Sequence, residues 1–85
     1  MANRATGAVT RLYATQGRTY IRLQIPQAQQ PKDGYFELLK THDNYDALYS
    51  LALSAAVKGV PLQVRTAGEI TPTDYPNVQY LVVDW

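Results

Sequence analysis

The sequence has no cysteine and only one histidine among its 85 residues. Disulfides, thiolate metal sites and multi-histidine clusters are therefore ruled out, and the usual staples of a small domain are missing. An excess of one charge is missing too. Eight lysines and arginines stand against seven acids, for a net charge of +1, which argues against a strongly electrostatic nucleic-acid binder while leaving room for a local basic patch. Long apolar runs are absent: the longest is Tyr80 to Val83, far below the roughly 18 to 20 residues that span a bilayer. Membrane insertion is not expected. The opening Met1-Ala2-Asn3-Arg4-Ala5-Thr6-Gly7 is polar and leads into no apolar segment of signal-peptide length. With the absence of cysteine, this leans the expectation towards a reducing, cytoplasmic setting.

What is present reads as one folded domain over residues 1–85, since 46% of residues are hydrophobic and 18% charged. A chain of this size buries only about 60 to 65% of the surface it exposes when unfolded. Its core is thin, so either packing is efficient or subunits share burial. From Gly7 to Ala14, β-branched and aromatic residues predict a first strand, closed by the turn Thr15-Gln16-Gly17. Arg18 to Ile25 alternates with Ile21, Leu23 and Ile25 on one face and Tyr20, Arg22 and Gln24 on the other, the period of a half-buried strand. Pro26 to Gly34 is a loop with two prolines and a terminal Asp-Gly, and Tyr35 to Lys40 is a third strand with Phe36 and Leu38 on one face.

A helix is predicted from Asn44 to Lys58, with Asp43 placed to cap it, Asp46 in the first turn, Lys58 in the last and Gly59 closing it. Pro61 to Thr66 restores alternation, Ala67 to Pro76 is a second polar loop, and Val78 to Trp85 is a final strand. Two surfaces are more apolar than one core requires. The polar positions Asp43, Asp46, Ser50, Ser54 and Lys58 occupy a sector of roughly 120°, leaving an apolar arc wider than one sheet needs. The last strand carries apolar residues on both faces. Tyr45, Tyr49 and Leu53 on the helix and Tyr80, Val82 and Trp85 at the chain end are therefore the candidate interface of a homo-oligomer.

The expected class is mainly β: a small five-stranded barrel with one helix between strands three and four, the element order of the oligonucleotide/oligosaccharide-binding (OB) barrel. Gly34-Tyr35-Phe36-Glu37-Leu38-Leu39 leading to an Ala-rich helix, then Gly59-Val60-Pro61-Leu62-Gln63-Val64-Arg65-Thr66, resembles the B subunits of bacterial toxins built from one A subunit and five B subunits. The resemblance is architectural and covers most of the chain. It implies a ring, a pentamer, whose helices line a central channel and whose edge strands pair between subunits, and it implies glycan binding. The chain departs from that pattern in having neither cysteine nor a visible signal segment.

Residues for catalysis are few, and no enzyme or cofactor is expected. His42, the one imidazole, stands just before the helix and reads as a locally hydrogen-bonded residue rather than a general base. No phosphate-cradling glycine loop, nucleophile elbow or metal-ligand spacing occurs. Binding is better provided for. On the polar faces of the first three strands, Arg11, Tyr13, Tyr20, Arg22 and Tyr35 stand outward together, the mixture of rings and cations that holds single-stranded nucleic acid. Glu37 shares that face. For a glycan or other small polar ligand, Tyr20, Arg22 and Tyr35 join Asp74, Tyr75 and Asn77 of the second loop, because sugars need an aromatic platform with polar groups beside it. Overall charge balance and abundant tyrosine favour the glycan reading over the nucleic-acid one. A purely structural ring is the third.

Overall fold

Period-two alternation over Arg18–Gln24 and Tyr35–Leu39 sends Ile21, Leu23, Phe36 and Leu38 to one side of a sheet, where each is at most 2% exposed. In the computed structural model, which describes residues 3–84, the elements run β1 (Arg4–Thr15), β2 (Arg18–Gln24), β3 (Tyr35–Leu39), α1 (Tyr45–Lys58), β4 (Leu62–Thr66) and β5 (Val78–Val82). The order strand, strand, strand, helix, strand, strand is the expected one. The five strands form one sheet in the order β3-β2-β1-β4-β5, with every ladder antiparallel.

β1 is the spine of that sheet. Arg4–Gly7 pairs with β4, and Ala8–Thr15 pairs with β2. Gly7 sits at the crossing point: a Cβ there would overlap the Gln24 carbonyl oxygen and lie 2.9 Å from Ile25 Cγ2. Only glycine lets the two backbones approach so closely. The strand starts at Arg4 rather than Gly7, because its first residues are held by the distant β4 and not by any local pattern. A single parallel bridge, Glu37 to Asn77, with the Glu37 N–H donating to the Pro76 carbonyl at 2.9 Å, links the outer edge of β3 to the chain entering β5.

α1 lays Leu48, Ala52 and Ala55 on the buried face, at the four- and three-residue spacing of one helical stripe. Ala5, Ile25, Leu62, Val64, Val78 and Leu81 complete the core. The two buried polar residues among those described are satisfied: Thr19 Oγ1 shares a 2.7 Å hydrogen bond with the Tyr45 hydroxyl, and Thr66 Oγ1 donates to the Asn3 carbonyl at 3.0 Å. Gly59 closes the helix in the left-handed region at φ 71°, as expected.

Three expectations are corrected. Asp43 does not cap α1; Asn44 holds the cap position without a side-chain bond, and its N–H donates to His42 Nδ1 at 3.0 Å. The other ring nitrogen of His42 then carries the proton and donates to the Gln79 carbonyl at 2.9 Å, tying the start of the helix to β5. The final strand stops at Val82, and its ladder slips opposite Arg65 and Thr66, so that Val78 and Leu81 both turn inward while Gln79 and Tyr80 face out. One extra residue, not a second apolar face, explains most of its pattern. The loop from Pro26 to Gly34 contains two short 3-10 turns, the second with Asp33 at φ 57°. No helix among the described residues is long and apolar enough to cross a membrane.

Candidate functional site

The register that buries Ile21 and Phe36 fixes what stands on the opposite face. Tyr13 lies across from Tyr20 and Tyr20 across from Glu37; Arg11 lies across from Arg22 and Arg22 across from Tyr35. Arg11, Tyr13, Tyr20, Arg22 and Tyr35 thus share one outward face.

Tyr20 is the hub. Its ring stacks on Tyr13 with centroids 5.8 Å apart and planes 22° apart, and it meets Tyr35 edge-on at 5.9 Å. A fourth ring comes from the second loop: Tyr75 packs edge-on against Tyr20 at 5.4 Å. The four rings and Thr15 line a shallow cleft of about 300 Å³. Offset and edge-on pairs such as these stabilise one another beyond the area they bury, so the platform is ordered before any ligand arrives.

Tyr75 is held by the first loop. Its hydroxyl donates to Asp33 Oδ2 at 3.0 Å, and Lys32 Nζ lies 5.2 Å from its ring centre. The two loops are joined where the Lys32 N–H donates to the Asp74 carbonyl at 3.1 Å. The hydrogen bond to Asp33 holds the Tyr75 hydroxyl above the usual tyrosine range, with desolvation and the nearby carboxylate charge adding to it.

Local charge differs from the balance of the whole chain. Glu37 is paired with Arg18 at 3.0 Å, and Asp33 accepts from Tyr75. Arg11 and Arg22 are exposed and make no ion pair among the described residues. The face therefore offers rings beside two unpaired guanidiniums, with Glu37 offset by Arg18.

Of the loop residues expected at a ligand site, only Tyr75 reaches the cleft lining. The Asp74 carboxylate accepts from Thr71 Oγ1 at 3.4 Å, and Asn77 serves the β3 bridge through its backbone. Lys32 and Asp33 lie in the amide-rich loop from Gln27 to Asp33, itself a candidate ligand loop by composition, but the Asp-Gly turn signalled a bend and not what it would touch. On α1, Tyr45 and Tyr49 stack at 6.2 Å and pack against the chain's own core, while Leu53 is 44% exposed. Tyr80 is exposed beside Arg65, Val82 is half-buried, and Trp85 lies outside the described residues. Val57, 79% exposed, was overlooked because it falls in the helix sector of Ser50.

The chain matches no protein-family model, no curated protein and no solved structure.

Proposed function

We propose that this chain is a non-catalytic binding module that seats single-stranded nucleic acid across the outer face of β1, β2 and β3, with Tyr20 at the centre of the platform. The observation that carries this is the cluster of Tyr13, Tyr20, Tyr35 and Tyr75 beside two guanidiniums that no carboxylate neutralises among the described residues. Every base has a π-face, so such a platform accepts about two or three bases without regard to sequence. Whole-chain charge balance ranked a glycan first. The local balance reverses that order, because Glu37 is offset by Arg18 while Arg11 and Arg22 carry no partner among the described residues and are left to meet phosphates. The fold that goes with this proposal is a partly open OB-like barrel, supported by the β3 to β5 bridge, and the strand 2–3 face is where such barrels take oligonucleotides.

The test is fluorescence anisotropy of a labelled oligothymidylate against the full chain at low salt. Saturable binding that Tyr20→Ala removes and Tyr80→Ala leaves intact supports the proposal. Binding of a neutral oligosaccharide in its place would transfer the same face to the glycan reading.

A second reading concerns assembly. The exposed Leu53 and Val57 on α1 support a ring in which helices face one another, as in the toxin B subunits the sequence resembles. Native mass spectrometry tests it: a pentamer supports the ring, and a monomer at micromolar concentration rejects it.

A further inference from the structure

We infer that Arg11 and Arg22 form a two-guanidinium site for a phosphate group on the flank of the tyrosine platform, with Gln24 and Gln30 at its rim. Three independent features of β1 and β2 lead there.

The first is the like-charge pair itself. Arg11 and Arg22 are direct cross-strand partners, and equal charges in that relation oppose strand pairing. Arg18, two rows away on the same face, is neutralised by Glu37 at 3.0 Å. The Arg11–Arg22 row has no such partner among the described residues, so an anion is what would relieve it.

The second is how Arg11 comes to face Arg22. Val9 lies opposite Leu23, so an unbroken ladder would set Thr10 against Arg22 and Arg11 against the fully buried Ile21. The register instead slips between Val9 and Arg11. Thr10 is the extra residue, and its hydroxyl donates to the Arg22 carbonyl at 3.2 Å. The bulge turns Arg11 outward beside Arg22 and sends Leu12 towards the core. Bulges re-aim side chains in this way beside functional sites.

The third is the bed beneath Arg22. Its side chain lies along buried Gly34, where a Cβ would come within 3.3 Å of Arg22 Nε. Above these residues is a cleft of about 360 Å³ lined by Thr10, Arg11, Arg22, Gln24 and Gln30. Gln30 is pinned there by its Nε2 donating to the Ile25 carbonyl at 3.1 Å. Two planar guanidiniums lining one cleft from neighbouring strands suit the tetrahedral oxygens of a phosphate better than a sugar or a carboxamide.

The site deepens the nucleic-acid reading and rests on it only for which molecule brings the phosphate. On a bound strand, bases lie on Tyr13, Tyr20, Tyr35 and Tyr75 while phosphodiesters run along the Arg11–Arg22 side and not the Arg18 side.

The experiment is an NMR titration of the full chain that follows the arginine Nε–H signals at constant ionic strength, first with inorganic phosphate and then with oligothymidylate. With inorganic phosphate, the Arg11 and Arg22 signals should move together and saturate while Arg18 and Arg65 stay in place, and Arg11→Ala should abolish the response of Arg22. A uniform drift of all arginine signals, or none, overturns the site. With oligothymidylate, the same two signals should move, and the Arg11→Ala/Arg22→Ala double variant should bind at least about tenfold more weakly, with a salt slope shallower by about 1.4 for two lost phosphate contacts. Arg18→Ala should leave that slope unchanged. A saturable response to phosphate with none to oligothymidylate upholds the anion site and removes the nucleic-acid reading.

Discussion

The outer surface of β4 and β5 carries the same residue types as that of β1, β2 and β3, in a different state. On β4 and β5, the Arg65 guanidinium lies 5.9 Å from the centre of the Tyr80 ring, and its Nη1 reaches the Tyr80 hydroxyl at 3.5 Å. With the Asn3 amide turned to present its oxygen, that oxygen accepts from Arg65 Nη2 and Nε at 3.1 and 3.2 Å. Cation and ring satisfy one another. On β1, β2 and β3 the rings pack on rings, and Arg11 and Arg22 meet each other instead of an acid. Tyrosine and arginine on a sheet face are therefore no mark of a site in themselves. What distinguishes the binding face is its charge: Arg11 and Arg22 have neither an aromatic ring nor a carboxylate of the chain against them among the described residues, beside a cluster of rings.

The two faces share β1, so the change that breaks both is expected to have the largest effect. Gly7→Ala puts a methyl group into the backbone of Gln24 at the crossing point; overpacking of this kind costs about 1 to 3 kcal/mol, read as a lower urea midpoint. Next comes Tyr20→Ala. It removes the hub of the platform, and since stacking contributes about 1 to 3 kcal/mol per base, oligothymidylate should bind roughly ten- to a hundredfold more weakly in anisotropy. Tyr80→Ala sharpens the contrast: it should leave binding unchanged and cost about 0.5 to 1 kcal/mol of stability by loss of the exposed cation–π contact, seen in a thermal melt.

The smallest effect concerns the loop ring. The bond to Asp33 favours the protonated Tyr75 hydroxyl, so its contribution to stability is fully present below the ordinary tyrosine value of about 10. It is lost as pH rises through the raised folded value. Asp33→Asn keeps a residue that tolerates the left-handed backbone while removing the charge. The ultraviolet absorbance titration of Tyr75 should shift back down towards the ordinary range.

The sheet was legible because its signal is local. Ile21, Leu23 and Ile25 alternate with Tyr20, Arg22 and Gln24, and that period alone places Tyr20 and Arg22 outward. Gly59 closes the helix for an equally local reason, its left-handed φ. What escaped depends on residues far apart in the chain. Arg4 to Thr6 become strand only because β4 returns to meet them. The sequence groups Tyr75 with Tyr20 and Tyr35, but what holds it there, the carboxylate of Asp33, 42 residues away, has no local signal. Asp43 fits the pattern of a cap, yet the helix begins one residue later and the Tyr45 N–H donates to the His42 carbonyl at 3.1 Å. The bulges at Thr10 and opposite Arg65 reverse the in-out parity of everything beyond them, and a period-two pattern carries no warning of such slips.

The most direct test of the binding face compares oligothymidylate affinity of the unaltered chain, Tyr20→Ala and Tyr80→Ala side by side at low salt, each with its melting curve. Binding lost in Tyr20→Ala and kept in Tyr80→Ala, with both variants folded, is the predicted result. Equal binding by all three, or none by the unaltered chain, would contradict it.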